Sequence, residues 1–392
     1  MKDLKKILFK PPIAILTMLI LLSPLFFLKI KHEMIDIEVD LQAGQRFLAG
    51  EPLYRASDGH YQYKYLPAYA AWMAPLALLP SGMAKCAVFY IISTVLLINL
   101  YLSYRLVNNS GESRPWLVIL TFLIMAKFYG HELTLGQVNA IMLLPLLLMV
   151  HSLVKKRDIP AGVWLGLAIS VKPYAVIFFP YLLIKRKFRT VLSALGTLVV
   201  ILLIPALRYG FSGNLELLAS MGRTLTASTP VLYDTQDNVS LFGFIAKWTH
   251  TDNPLVLYGG AFVVAAVLYG LLLLFSLFRS KEEKKAIIIE CAVLLIYIPI
   301  FSPLGWDYVF LNSTLGVMFL LSEFKGMSRG EKTFIIFNFV LIGATIYDLM
   351  GRDLYSQFMK LSVLTLNFIL ISLYLLYMRA RLKTRKGVSS GN

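Results

Sequence analysis

An all-α, polytopic membrane fold of about twelve (11–13) spanning helices is what this sequence predicts, on three observations. Of its 392 residues, 58% are hydrophobic and only 15% charged, with a mean hydropathy of +0.69; soluble domains carry roughly 25% charged residues. Apolar runs recur along the whole chain, many of them near the roughly 20 residues a bilayer crossing takes. The 38 Lys and Arg, which leave a net charge of +16, stand in short clusters between those runs, a pattern that orients helices in a membrane rather than one that binds nucleic acid. A water-soluble domain, a disordered chain, a collagen-like repeat and a coiled coil are excluded by the same pattern.

The first span is placed at 11–30. Pro12 to Leu28 is apolar, follows Lys2, Lys5, Lys6 and Lys10, and has no small-residue cleavage pattern behind it, so it reads as an uncleaved anchor. Later spans fall at 82–106 after Pro80, at 115–130 between Pro115 and Gly130, and at 138–154, closed by Lys155, Lys156 and Arg157. Next come 160–171 and 173–184, separated by Lys172-Pro173, then 188–207 and 254–279, the last opened by Pro254. The remaining four lie at 285–301, 306–323, 332–350 and 355–379. Several pieces within 115–184 are short for a crossing, which predicts tilted or partial hairpins lining a cavity. Ala68 to Leu79, about a dozen apolar residues, suits an outer-face re-entrant or interfacial helix.

With the N-terminus inside, the alternate loops hold 25 of the 38 basic residues, which predicts cytoplasmic termini. The chain reads as one integral membrane domain over 1–392, with long outer loops at 31–81 and 208–253 and a basic cytoplasmic tail at 380–392. The absence of a targeting segment beyond the first span favours a cell membrane. Cys86 and Cys291 lie far apart inside apolar runs and read as packing residues.

Carboxylates, amides and aromatics gather on the outer side, the default place for a functional site. Asp36 and Asp40 are four residues apart, so a helix from Ile35 to Leu48 puts both on one face. They suit either a solvated interfacial helix or a general base for a hydroxyl. Asp36-Ile37-Glu38 also mimics a metal-binding pair, but residues two apart diverge on a helix and the five His lack ligand spacing. No cofactor or metal is required by these residues; a divalent ion stays open. Tyr63 and Tyr65, in Tyr61-Gln62-Tyr63-Lys64-Tyr65-Leu66-Pro67, are interface anchors or sugar-stacking platforms. The amides of Gln137 and Asn139 suit sugar hydroxyls or helix caps, with His131 and Glu132 beside them.

These residues resemble glycosyltransferase family 87, multispanning enzymes of the GT-C fold that use polyprenyl-phosphate sugars. The resemblance runs through Asp36 before Ala43-Gly44, Phe47-Leu48-Ala49-Gly50-Glu51-Pro52-Leu53-Tyr54, Tyr63-Lys64-Tyr65-Leu66-Pro67, Gly136-Gln137-Val138-Asn139 and Gly166 to Pro173. It continues through Asp237-Asn238-Val239-Ser240 and Ser302-Pro303-Leu304-Gly305-Trp306-Asp307-Tyr308. It implies an inverting transfer of a hexose, mannose by preference, from a polyprenyl-phosphate sugar to an outer-leaflet lipid or glycan acceptor, with Asp36 as general base. Since the leaving phosphate monoester has a low pKa, no general acid is needed, only a base and cations to hold the developing charge. Lys172, Arg208 and Arg223 are the phosphate-binding candidates; Asp40, Tyr63, Tyr65, His131, Gln137, Asn139, Asn238, Ser240, Trp306 and Asp307 are the substrate-binding ones. The sequence departs from the family pattern at Leu66, at Val239 and after Trp306, where Asp307 and Tyr308 stand. A competing class, a transporter or lipid-linked-sugar flippase, would show matching half-repeats and ionisable groups at mid-membrane; no matching halves occur here.

Overall fold

A computed structural model describes residues 11–108, 112–251 and 253–382. The N-terminal lysines and most of the tail expected at 380–392 lie outside the described residues. What is described is helical, with short 3-10 turns and one isolated antiparallel bridge between Asn238 and Trp306.

Helix α1 spans Pro11–Leu28, α2 Ile35–Ala49, α3 Pro67–Ala77 and α4 Ser81–Val107. They are followed by α5 Pro115–Leu135, α6 Asn139–Val154, α7 Asp158–Val171, α8 Phe178–Ile184 and α9 Phe188–Leu203. Next are α10 Ala206–Ser228, α11 Leu241–Thr249, α12 Pro254–Leu277, α13 Glu283–Phe301 and α14 Thr314–Glu323. The chain ends in α15 Arg329–Ala344, α16 Tyr347–Met350, α17 Arg352–Lys360 and α18 Val363–Arg381. Prolines open α3, α5 and α12 at the first turn, where a missing N–H costs nothing.

Among the described residues, α4, α5, α12 and α18 are long and apolar enough to cross a bilayer alone. The pair α9 and α10, bent by 103°, makes a fifth candidate if it is one span. Helix α6, helix α7 and the stretch 173–184 are apolar but shorter. Length and composition therefore account for four or five crossings where about twelve are expected. The other runs are interrupted: 306–323 begins as a 3-10 turn over Asp307–Ser313, 332–350 stops as a helix at Ala344, and 355–379 is split at Ser362, whose φ is +53°.

Helix α13 is the central post, buried without a break from Ile288 to Ile300. Helices α6, α12, α14 and α18 and the Asp307–Ser313 turn pack around it, so the turn that carries Asp307 rests on the most buried part of the molecule. Helices α7 and α9 meet through Gly162 and Gly166, one turn apart. A Cβ on Gly162 would lie 2.2 Å from the Thr190 carbonyl oxygen, and one on Gly166 2.7 Å from Thr197 Cβ. Small residues at this spacing let two backbones approach. Gly162→Ala is therefore expected to destabilise the protein by about 1–3 kcal/mol through overpacking, read as denaturant unfolding in detergent. Gly196→Ala, whose Cβ would meet nothing within 4 Å, serves as the neutral control.

Candidate active site

Helix α2 starts after Met34 with Asp36 and Glu38 in its first turn and ends at Gly50, whose φ of +73° is left-handed. Acids stabilise a helix start and glycine its end. Its faces divide as the spacing predicts. Glu38 points outward and pairs with Lys85 at 2.6 Å, whereas Asp36 and Asp40 turn toward the junction of α5 and α6. Gly136 makes that junction possible. It caps α5 at φ +72°, and a Cβ there would come within 3.0 Å of Ile37 Cβ and Met34 Cε.

The turn that Gly136 opens delivers Gln137 to Asp36. Gln137 Nε2 donates to Asp36 Oδ2 at 2.6 Å, and Gln137 Oε1 accepts from Lys172 Nζ at 3.0 Å and from the Tyr65 hydroxyl at 3.3 Å. Lys172 Nζ also donates to Asn139 Oδ1 at 2.8 Å and lies 5.4 Å from the Tyr65 ring centroid. Asn139 Nδ2 donates to Glu132 Oε2 at 2.8 Å, and the Ala140 N–H to Glu132 Oε1 at 2.7 Å. Asp36 is half-buried, and its Oδ1 has no hydrogen bond among the described residues. Asp40 is buried. Burial pushes its carboxyl well above the usual carboxylate range, a rise that Lys172 opposes and Asp36 reinforces.

A second polar group adjoins the first. Helix α5 sets Lys127 and His131 one turn apart, and both reach Asp307: Lys127 Nζ is 2.9 Å from Oδ2 and His131 Nδ1 2.8 Å from Oδ1. The His131 ring meets the edge of Tyr308 at 5.2 Å. Its side chain is 36% exposed, against 1% for Asp307 and 9% for Lys127, so His131 is the open member.

The structure thus gathers Asp36, Asp40, Tyr65, Gln137, Asn139 and Lys172, with His131 and Asp307 alongside. The other expected residues have their hydrogen bonds elsewhere, although the Tyr63 ring lies 5.9 Å from that of Tyr65. Tyr63 is buried and donates to the Leu66 carbonyl at 3.0 Å. Asn238, Ser240 and Trp306 join two connections, before α11 and after α13: Asn238 Oδ1 accepts from the Ser240 and Gly305 N–H groups at 3.1 Å, the Ser240 hydroxyl caps α11 through the Gly243 N–H, and Trp306 forms the bridge with Asn238. Arg208 donates to the Phe47 carbonyl at 3.3 Å, at the far end of α2, and Arg223 pairs with Glu216 on an exposed helix face.

The anchoring role of Glu132 escapes the sequence reading because the run from Pro115 is taken to stop at Gly130, whereas α5 continues to Leu135, and Lys127 escapes it although it stands inside that run. The available signal is a charge inside an apolar run, which is functional by default. Among the described residues, no group of three or more His, Cys, Asp or Glu is placed to hold a metal ion. A cavity of about 480 Å³ lies against the outward face of α2, lined by Glu38, Gln42, Gln45, Tyr61 and Ser81 among others, and not over Asp36.

The sequence model of glycosyltransferase family 87 matches residues 63–303. The chain belongs to glycosyltransferase family 87. The matched stretch takes in Tyr65, Lys127, Glu132, Gln137, Asn139 and Lys172, and stops short of Asp36 at one end and Asp307 at the other. The chain is similar to the polyprenol-phosphate-mannose-dependent alpha-(1-2)-phosphatidylinositol mannoside mannosyltransferase of Mycolicibacterium smegmatis, 25% identical over 242 residues, 56% of this chain and 53% of that one. It is also similar to the enzyme of the same name from Mycobacterium tuberculosis, 25% identical over 300 residues, 70% of this chain and 67% of that one. A third family relative is the alpha-(1->3)-arabinofuranosyltransferase of Corynebacterium glutamicum, 26% identical over 266 residues, 64% and 60% of the two chains. The chain spans between about half and two thirds of the length of these curated relatives. No solved structure matches it.

Proposed function

We propose that this family 87 member is an inverting membrane glycosyltransferase that moves a hexose, mannose by preference, from a polyprenyl-phosphate sugar to an outer-leaflet lipid or glycan acceptor. Asp36 is the general base. The observation that carries the reading is the state of its carboxylate: one oxygen is held by Gln137 at 2.6 Å and the other carries no hydrogen bond among the described residues, as a base awaiting an acceptor hydroxyl requires.

In this reading the acceptor O–H gives its proton to Asp36 as its oxygen attacks the anomeric carbon, and the bond from that carbon to the phosphate oxygen breaks. The leaving group departs as polyprenyl phosphate without a general acid. One carboxylate opposite the leaving group gives inversion, and no second carboxylate at glycosidase spacing is called on. Mannose is favoured over a pentose because two of the three relatives use a mannose donor by name. The reading includes a GT-C-like arrangement with cytoplasmic termini and an extracytoplasmic site, supported by the concentration of basic residues in alternate loops.

The test is transfer of labelled sugar from synthetic polyprenyl-phosphate mannose to membrane lipids by purified protein in liposomes. The expected product carries the sugar in the anomeric configuration opposite to the donor. No transfer from any polyprenyl-phosphate sugar by folded protein would overturn the reading, and retained configuration would overturn the single-base mechanism.

A further inference from the structure

We infer that Lys172 is a positioning residue for Asp36, acting through Gln137, and that it is not a contact for the donor phosphate. The inference rests on the reading of Asp36 as base.

Lys172 occupies the break between α7 and the 3-10 turn Pro173–Ile177, with extended backbone (φ −142°, ψ 128°), as a residue before proline prefers. Its side chain is buried, 7% exposed. An ammonium has three donors and no acceptor, and two of the three are given to side-chain oxygens. These belong to Gln137 and Asn139, at 3.0 and 2.8 Å, and the Tyr65 ring centroid lies 5.4 Å away. A phosphate taking the donor now given to Asn139 would leave that buried amide oxygen without its partner, which is costly, and one taking the donor given to Gln137 would loosen the amide that bonds Asp36.

Because the ammonium can only donate, it fixes which end of each amide faces it. Both oxygens point to Lys172, so both NH₂ groups point away, each toward a carboxylate. Gln137 Nε2 reaches Asp36 Oδ2 at 2.6 Å and Asn139 Nδ2 reaches Glu132 Oε2 at 2.8 Å. Glu132 closes the arrangement by also accepting the Ala140 N–H, which pins the turn that carries both amides. Without the cation, a Gln137 rotated by half a turn would set its oxygen against the Asp36 carboxylate. The consequence for chemistry is orientation. With Oδ2 tethered, Asp36 presents Oδ1 in one direction, and a misplacement of about 1 Å at a reacting group costs on the order of 100-fold in rate.

The experiment measures single-turnover rate and polyprenyl-phosphate affinity for wild type, Lys172→Met, Gln137→Met, the double variant and Asp36→Asn. Expected is a rate loss of about 10- to 100-fold in each of the first two variants with affinity within about twofold, and a double variant no slower than the slower single, because the two act as one unit. A loss of affinity of about tenfold or more in Lys172→Met, with none in Gln137→Met, would place the phosphate on Lys172 and overturn the inference. Gln137→Met leaves Lys172 bonded to Asn139. A wild-type rate in that variant overturns the inference even where Lys172→Met does not fold. Full activity of Asp36→Asn would bring down the base itself. Loss of activity in Asp36→Asn beside an unaffected Gln137→Met would bring down the positioning alone.

Discussion

Asp36→Asn is expected to lower sugar transfer by roughly 10²–10⁴-fold, the range that a positioned general base contributes, while leaving the protein folded. Asn matches Asp in shape, and its carbonyl oxygen can still accept from Gln137 Nε2, which now bonds Asp36 Oδ2 at 2.6 Å. What Asn lacks is an oxygen able to take the acceptor proton. Asp40→Asn, one turn along the same helix, is the informative contrast. Burial pushes the Asp40 carboxyl toward its protonated form, which an amide resembles in charge, so its loss is expected to stay below about tenfold if only a base at Asp36 is consumed in the step. Initial rates with saturating donor, compared at equal amounts of monodisperse protein, check both.

Glu290→Ala is expected to be the most damaging change to stability, by about 3–5 kcal/mol, because breaking a buried ion pair strands its partner. Glu290 is fully buried on α13 and accepts from Arg379 Nε at 2.7 Å and the Tyr181 hydroxyl at 2.8 Å, with Lys185 Nζ 2.9 Å away. Arg379 itself is only 3% exposed and also donates to the Phe278 carbonyl. Removing the carboxylate leaves two cations facing each other at a point where α8, α12, α13 and α18 converge. Arg379 lies fourteen residues beyond Thr365, which bonds the Val239 carbonyl beside the 302–306 connection, or about 20 Å along α18. The expected result is a collapse of the folded fraction in detergent, measured by thermal or denaturant unfolding. Glu290→Gln, which keeps the shape and one acceptor, should lose less.

The helices that hydropathy finds well are those with both ends marked. Ser81–Val107 and Asn139–Val154 match the expected 82–106 and 138–154 within a residue or so, because proline, glycine or a basic cluster stands at the boundary. The reading falters where an apolar run is cut by backbone geometry that composition does not register, as at Ser362, or where a helix lacks a uniform apolar run. Ala206–Ser228 is such a helix: it is kinked at Gly210 and falls almost wholly in what reads as a polar loop, with Leu207, Phe211 and Leu215 exposed and Glu216 and Arg223 also at the surface. The Asp36, Gln137 and Lys172 constellation is legible as a set of residue types that the predicted topology puts on one face, but their partnership is not. Nothing in the spacing of residues 36, 137 and 172 says that one ammonium orders two amides, since that depends on the left-handed turn at Gly136 and on the approach of α2 that it permits. Asn238 and Ser240 are misleading in the opposite sense. Their polar character suits a ligand, and their hydrogen bonds go to the loop 302–306 and the start of α11.

The 103° bend between α9 and α10 sets the start of α10 against the end of α2. Helix α9 has 16 residues, about 24 Å of rise, and falls short of a hydrocarbon layer about 30 Å thick. Beyond the bend, Arg208 grips the Phe47 carbonyl and Tyr209 the Glu51 carbonyl, both at the end of the helix that carries Asp36. A change in bilayer thickness that tilts α9 is expected to reach α2 through these two bonds, and sugar transfer in vesicles of graded acyl-chain length checks it.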